Sequence, residues 1–407
     1  MKLYQYFLSL ALVVSIQFTD YKIYDIKFGD IISIIFMACF LFMSKKIITP
    51  KFYKQLLIIF LIFLLNSIIA SLYVKFSIPE NISFLKKPVI LSFCRYIQCT
   101  GCIFFSLFTF NLFNKESKDL DKNIFIFIDR TMILLSIIFL LAFLLSHMGI
   151  DTPFVCEKKR LRGGYVEGGP FGLFISFYLI MRYLILKKND IYTILFFLQI
   201  ILSQSKAAII FLPIFYIIYL VIEKKLNVSK IVILFIFSTI ILFIINSYFN
   251  FSDKLLKYWI EYFDIYNQIY GLNRENDTSL VMGRIAALHI APNIILDNPI
   301  IGVGMGNYSL VRNNEEYLQR LPPVSEWDLS GLGGVFNTII ESGFLGLILL
   351  IFPFIYLWIK FNNCNIVKYG IILFFLAQVL GVQLYFHYIW FGLGLFYYLG
   401  TKENASK

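Results

Sequence analysis

The sequence is poor in charged residues. Only 15% of its 407 residues are Asp, Glu, Lys or Arg, against 59% hydrophobic residues, whereas soluble domains carry about 25% charged residues. This shortage excludes an ordinary water-soluble fold. Alternation of apolar and polar residues is also lacking, and long runs of Ile, Leu and Phe take its place. Backbone groups in lipid must bond within helices or closed barrels, and barrel strands alternate. The sequence therefore predicts an all-α, polytopic membrane helical bundle.

Other absences narrow the chemistry. The loops assigned below to the external face hold no acidic cluster of the kind that a hard cation prefers, so we expect no metal and no cofactor. The net charge of +11 is explained by loops that fix topology and by contact with anionic lipid, and nucleic acid is not an expected partner. Cys99 and Cys102 form a C-x-x-C inside an apolar run, which we interpret as coincidence.

Twelve apolar segments are candidate membrane helices, since a span needs about 20 mainly apolar residues. They lie near residues 3–18, 29–43, 55–74, 88–113, 124–146, 170–186, 190–203, 206–222, 231–249, 337–359, 368–385 and 386–400. With the N-terminus inside, the internal loops carry more Lys and Arg than the external ones, which favours cytoplasmic termini. The seventh and eighth segments are short, so a re-entrant pair is an alternative. Arg182 is expected to snorkel to the cytoplasmic surface.

This orientation places two polar segments, 147–169 and 250–336, on the external face of a single transmembrane domain. Long loops between rigid elements often carry function. The longer one opens with an amphipathic run in which Leu256, Trp259 and Phe263 fall on one side of a helix. Such a helix lies either in the plane of the lipid headgroups or as a lid packed on the bundle. The sequence leaves both interpretations open.

The shorter external loop is basic and rich in glycine. Arg160 and Arg162 precede Gly163, Gly164 and Glu167. A guanidinium offers a planar fork of donors to phosphate oxygens, and glycine allows the backbone to approach a ligand closely. We therefore predict a diphosphate site at the start of the next helix. The alternative is a basic loop that touches lipid headgroups.

A family resemblance rests on the order of three motifs. The first lies within residues 284–307 and comprises Arg284, Asp297, Pro299, Gly302, Gly304, Gly306 and Asn307. It resembles the large periplasmic loop of the O-antigen ligase and polymerase superfamily, polytopic membrane glycosyltransferases that include the Wzy-type O-antigen polymerases. The second comprises Asn337, Glu341, Gly343 and Gly346, which resemble the start of the helix that follows. The third, 160–172, resembles the family's earlier periplasmic loop.

The resemblance implies polymerisation of oligosaccharide repeat units on the external face of the bacterial inner membrane. In that family the donor sugar is carried on undecaprenyl diphosphate and an acceptor hydroxyl attacks its anomeric carbon, without a metal or a nucleotide sugar. The partners expected from the resemblance are the undecaprenyl-diphosphate-linked oligosaccharide, membrane lipid and a chain-length regulator protein.

Candidate site residues follow from the same motifs. Arg284 aligns with an arginine that the family uses in catalysis, and Arg160 or Arg162 aligns with a second; we assign them to the departing diphosphate, whose charge preorganised cations stabilise. The general base stays open between Glu167, His289 and Glu341. The predicted substrate-binding residues are Lys206, Gly163, Gly164, Asn337, Glu341 and Arg95, of which Arg95 either pairs with a polar neighbour or lines the lipid-phosphate path.

One departure from the family pattern bears on the reaction. In the ligases a His precedes the Asn that corresponds to Asn337, and here that position is Phe336. The substitution favours a polymerase over a ligase that transfers polymer to the lipid A core. A flippase or transporter of lipid-linked oligosaccharide is a further alternative, although it would be expected to concentrate charge within its spans and to show similar halves.

Overall fold

A computed structural model describes residues 3–23, 26–43, 47–78, 82–114, 120–156, 159–225, 251–324 and 331–405. The helices of the N-terminal half are α1 (Leu3–Gln17), α2 (Phe28–Met43), α3 (Lys51–Tyr73), α4 (Pro88–Asn114), α5 (Leu120–His147), α6 (Gly168–Leu186), α7 (Ile191–Leu202) and α8 (Lys206–Ile222). Those that follow are α9 (Phe251–Phe263), α10 (Thr278–Val281), α11 (Arg284–Asp297), α12 (Tyr308–Val311), α13 (Glu315–Leu318), α14 (Gly334–Lys360), α15 (Asn365–Val379) and α16 (His387–Ala405).

Strands are few and short in the described residues. Two antiparallel pairs occur, in which β1 (Lys22–Ile23) pairs with β2 (Ile26–Lys27) and β3 (Val155–Cys156) pairs with β4 (Arg160–Leu161). A single 3₁₀ turn (Phe84–Lys86) and a π-helical turn (Asn267–Gly271) complete the described secondary structure. The predicted all-α class is therefore confirmed.

Several helices have the dimensions of membrane spans. Five reach the length and hydropathy that a span requires, namely α3, α4, α5, α6 and α14, and five shorter helices in the described part are also apolar. The predicted spans match helices of the structure to within six residues at each end, except for 231–249, which lies outside the described residues. The chain is a polytopic helical membrane protein.

The fold divides into two compact units. Unit 1 comprises Met1–Leu57, Ile97–Lys225 and Pro353–Lys407, and unit 2 comprises Ile58–Tyr96 and Leu226–Phe352. Helices α3, α4 and α14 each contribute residues to both. The candidate residues are likewise shared between the units. Arg160, Arg162, Gly163, Gly164, Glu167 and Lys206 belong to unit 1, while Arg95, Arg284, His289, Asn337 and Glu341 belong to unit 2.

Unit 1 contains a buried ion-pair network that the sequence did not predict. The Arg182 guanidinium donates to Asp129 over 2.8 Å and to Asp190 over 2.7 Å, and its side chain is only 2% exposed. Tyr178 donates a further hydrogen bond to the same oxygen of Asp129. The expectation that Arg182 snorkels to the surface is wrong, because two carboxylates inside the unit stabilise its charge in place of water.

Unit 2 has an apolar core of its own, although much of it comes from the segment predicted as a long external loop. Helices α10 to α13 and the turns around them bury a continuous set of side chains. Its best-buried members include Ile269, Leu280, Ala286, Ile290, Ile294, Val303 and Val311. Residues 251–324 are thus a folded helical element, and the assignment of this element to the external face stays a prediction.

Candidate functional site

Helix α14 is broken inside unit 2. Gly343 has φ 66° and ψ −175°, a conformation outside the helical region that costs an L-residue energy and that glycine adopts readily. The break separates Phe344 and Leu345 from Ile340 and Glu341, the carbonyls that their amides would reach in a continuous helix. Four backbone groups therefore need other partners.

The glycine-rich segment 299–304 supplies those partners. It runs alongside the break so closely that a Cβ on Gly302 would lie 2.4 Å from the carbonyl carbon of Glu341. All four orphaned groups are hydrogen bonded by this segment. The bonds are Val303 N to Ile340 O (3.1 Å), Gly304 N to Glu341 O (2.8 Å), Phe344 N to Pro299 O (2.8 Å) and Leu345 N to Ile300 O (3.2 Å). The motif that carried the family resemblance is thus a backbone clamp on a discontinuous helix.

The clamp places Glu341 in a polar cluster. Its carboxylate accepts a hydrogen bond from Asn337, with 2.7 Å between Nδ2 and Oε1, and another from the backbone N–H of Gly306. Arg95 interacts electrostatically with the same carboxylate and packs against Gly306, where a Cβ would lie 2.7 Å from Cγ of the arginine. The structure therefore brings together Arg95, Asn337 and Glu341, which the sequence suggested separately.

Arg284 occupies the first position of α11. Gly283 precedes it as an N-cap without a side chain to bond the first amides, so those amides and the helix dipole favour an anion. The Arg284 side chain is exposed, and it makes no ion pair or hydrogen bond with any residue that the structure describes. Its donor fork has no partner among the described residues and can bind a ligand.

Arg312 supports the turn before Arg284, and sequence reasoning missed it. It is 1% exposed and donates from Nη2 to the carbonyl of Val281 over 2.8 Å, three residues before Arg284. Burial lowers the pKa of Arg312, and burial raises the pKa of the neighbouring Tyr308 to about 12. The sequence gives no signal that either side chain is buried, because the contacts that bury them are tertiary.

His289 lies five residues after Arg284 on the same helix. Its Nε2 is 3.0 Å from the carbonyl oxygen of Tyr262, and its ring packs against the Tyr262 ring with 5.1 Å between centroids. When Nε2 donates this bond, Nδ1 is the nitrogen left to accept a proton. The histidine thus connects α11 to α9.

In unit 1, Arg160 meets the turn before α8. Its Nε donates to the carbonyl of Ser203 over 3.2 Å, and Lys206 begins α8 three residues later. Ser205 also donates from Oγ to the carbonyl of Gly169 (3.0 Å), which joins the starts of α6 and α8. Two cationic residues and two helix N-termini therefore gather at one place, an arrangement that favours an anion.

The other residues of the first basic loop have separate positions. Arg162 donates to the carbonyls of Pro153 (3.0 Å) and Val166 (3.3 Å). Gly163 packs on the Phe171 ring and Gly164 packs on Gln17 and Phe18, and a Cβ would collide in each case. The absence of a side chain at these two positions therefore allows close packing within the protein. Glu167 is the exposed N-cap residue of α6, and its side chain does not bond the helix amides.

These features define a membrane-integral helical protein with a glycine-clamped broken helix and cationic residues beside helix starts. The O-antigen ligase family model matches residues 191–351, a range that includes Lys206, Arg284, His289, Asn337 and Glu341. The match confirms the resemblance to the O-antigen ligase and polymerase superfamily and supports an enzymatic role of the glycosyltransferase-like kind. A search of curated proteins gave no significant match.

Proposed function

We propose that this protein is a metal-independent polymerase that joins oligosaccharide repeat units carried on undecaprenyl diphosphate, on the external face of the bacterial inner membrane. The observation that carries the proposal is the state of Arg284 within the family-matched range. This arginine is exposed at a helix start and has no acidic partner among the described residues. Its fork can bind two oxygens of a diphosphate, and the α11 amides add further donors.

In the proposed reaction the hydroxyl of one repeat unit attacks the anomeric carbon of another. A new C–O bond forms, and the bond from the anomeric carbon to the diphosphate oxygen breaks, so undecaprenyl diphosphate departs with the electron pair. Arg284 stabilises the charge that develops on the departing oxygen, a contribution of about 3 kcal/mol for one well-placed donor. The hydroxyl proton passes to a base.

The base stays open between Glu167, His289 and Glu341. Glu341 already accepts hydrogen bonds from Asn337 and Gly306 and interacts with Arg95. His289 bonds the Tyr262 carbonyl through Nε2, which leaves Nδ1 as an acceptor, and it lies on the same helix as Arg284. Glu167 is exposed and bonds no residue that the structure describes.

The residue at position 336 favours a polymerase over a ligase. The side chain of Phe336 is 45% exposed, and a phenyl ring cannot take the proton that the ligase histidine takes.

The test is the surface glycan of a deletion strain that expresses each variant from a plasmid. Arg284→Ala should leave single repeat units while the protein still inserts, and Arg284→Lys should restore little, since lysine keeps the charge but loses the fork. Arg320→Ala is the matched control, because Arg320 is another exposed arginine of unit 2. Long chains from Arg284→Ala would remove this residue from the site.

The deletion strain itself separates the three functions. A core that bears one repeat unit identifies a polymerase, unlinked long polymer identifies a ligase, and the absence of external units identifies a flippase. Either of the last two results would overturn the proposal.

A further inference from the structure

Helix α9 exposes its apolar side. Leu256, Trp259 and Phe263 are 60%, 66% and 66% exposed, whereas Glu261 is 5% exposed. In a helix that packs on a protein core through its apolar side, these values would be reversed. The hydrophobic effect would bury the apolar side of α9 against its own unit. The structure instead buries the side that carries Glu261.

The spacing of these residues along α9 shows that one whole face of the helix is apolar and exposed. Trp259 and Phe263 are four residues apart and share one face, and Leu256 and the 42% exposed Ile260 extend it. Glu261 lies midway between Trp259 and Phe263 in sequence, which places it on the opposite side of a helix with 3.6 residues per turn. The apolar stripe thus points away from the buried carboxylate.

Ion pairs hold the opposite side in place. The Glu261 carboxylate accepts from Arg274 over 2.8 Å and lies 3.5 Å from Lys257 Nζ. Arg274 also pairs with Asp277 over 2.6 Å and donates to Gln268 over 2.9 Å. Because these bonds fix the rotation of α9, the apolar stripe cannot turn inward without breaking them.

We infer that α9 lies in the membrane interface, with Leu256, Trp259 and Phe263 inserted between the lipid headgroups. The occupant is lipid because the described part of the chain includes five helices of membrane-spanning dimensions, so a bilayer surrounds the protein. The stripe also has an interfacial composition: Tyr258 and Tyr262 are both exposed beside it, and Trp and Tyr concentrate at the headgroup level. The Lys257 side chain is 60% exposed, where it can meet lipid phosphate.

This position of α9 also bears on Arg284, a step that rests on the proposed function. The Tyr262 carbonyl bonds His289 of α11, and Arg284 begins that helix about 7.5 Å away along its axis. A helix held at the headgroup level would keep the arginine at the depth where a lipid-linked diphosphate lies.

The test measures the depth of Trp259. The full chain and its Trp259→Phe variant are reconstituted into phosphatidylethanolamine and phosphatidylglycerol vesicles, and the difference spectrum isolates Trp259 from the other three tryptophans. We expect blue-shifted emission that lipids brominated near the headgroup quench more than lipids brominated near the chain end, while aqueous iodide quenches little. Trp358→Phe, which removes a tryptophan of the span-length α14, is the positive control for lipid contact.

Two outcomes would overturn the inference. Quenching by iodide without quenching by brominated lipid would place α9 in water. Resistance to both quenchers would mean that protein covers the stripe, as in a lid or a contact with a second copy. Neither outcome depends on glycan transfer, so a failure here is separate from a failure of the polymerase assignment.

Discussion

The side-chain amide of Asn337 lies 2.7 Å from the carboxylate of Glu341, one turn further along α14. The carboxylate also accepts a hydrogen bond from the Gly306 amide and interacts electrostatically with Arg95. Residues that each looked like a substrate contact are therefore partners of one another. Their first role is to hold the glycine clamp against the broken helix.

Asn337→Leu should destabilise this cluster. The substitution keeps a side chain of similar size but removes one donor from a carboxylate in a span-length helix, a loss of about 1–3 kcal/mol. Thermal unfolding in detergent measures the effect. Asn293→Leu is the control, because Asn293 makes no hydrogen bond with any described residue. Equal melting temperatures for the two variants would contradict the role given to Asn337.

Gly343→Ala should be more damaging. Alanine at φ 66° and ψ −175° is strained by about 1–3 kcal/mol, and its Cβ would lie 2.1 Å from the carbonyl oxygen of Ile300, so the clamp must shift. Gly169→Ala provides the contrast, since nothing lies within 4 Å of that Cβ and alanine favours the helix. Thermal unfolding of both variants, with insertion checked by protease protection, decides the matter. A stable, active Gly343→Ala protein would refute the need for glycine.

Tyr308→Phe should be neutral or stabilising. The Tyr308 hydroxyl is buried and lacks a hydrogen-bond partner in the described part of the chain, so its removal relieves a desolvation cost of about 1–3 kcal/mol. Tyr165→Phe is the matched comparison, because that hydroxyl donates to the Ile16 carbonyl over 2.5 Å and should lose about 1 kcal/mol. A larger loss of melting temperature for Tyr308→Phe than for Tyr165→Phe would show that the Tyr308 hydroxyl makes a stabilising hydrogen bond.

Asp190 should make unit 1 sensitive to acid. The Arg182 guanidinium lowers the pKa of Asp190 below its ordinary value. Because the folded pKa is the lower one, the stabilisation is present above the ordinary value and is lost as the pH falls through the lowered pKa. Asp190 is partly exposed, so the effect is up to about 1 kcal/mol.

Melting temperatures of the wild type and Asp190→Asn between about pH 7 and pH 3 measure this dependence. The gap between the two proteins should be widest at neutral pH and should shrink on acidification. Asp151→Asn, at an exposed aspartate without a cationic partner among the described residues, is the control for the substitution itself. A gap that widens in acid would have the wrong sign for this ion pair.

Composition and run length predicted most of the fold. The spans over 88–113 and 124–146 appear as α4 and α5 because membrane helices depend on length and hydropathy, which a sequence displays directly. Whether twelve segments cross the membrane, and whether both termini are cytoplasmic, are predictions that await topology mapping.

The site was harder to predict because its parts meet through tertiary contacts. Arg95 and Glu341 are far apart in sequence. The role of the segment 299–304 follows only from its backbone hydrogen bonds to the residues beside Gly343. Periodicity showed the amphipathic character of α9, but the inference of an interfacial helix rather than a lid depends on the burial of Glu261. Arg312 gave no signal at all, since a lone arginine in a polar segment usually lies at the surface.

The clamp at Gly343 has a consequence for biogenesis. The amides of Phe344 and Leu345 have no acceptors in their own helix, and an uncapped amide is costly to move into hydrocarbon. The final seating of residues 344–360 in the bilayer must therefore wait until residues 299–304, which are synthesised earlier, have folded against them. A lesion in that glycine segment would then show itself first as slow maturation and proteolysis of the nascent chain.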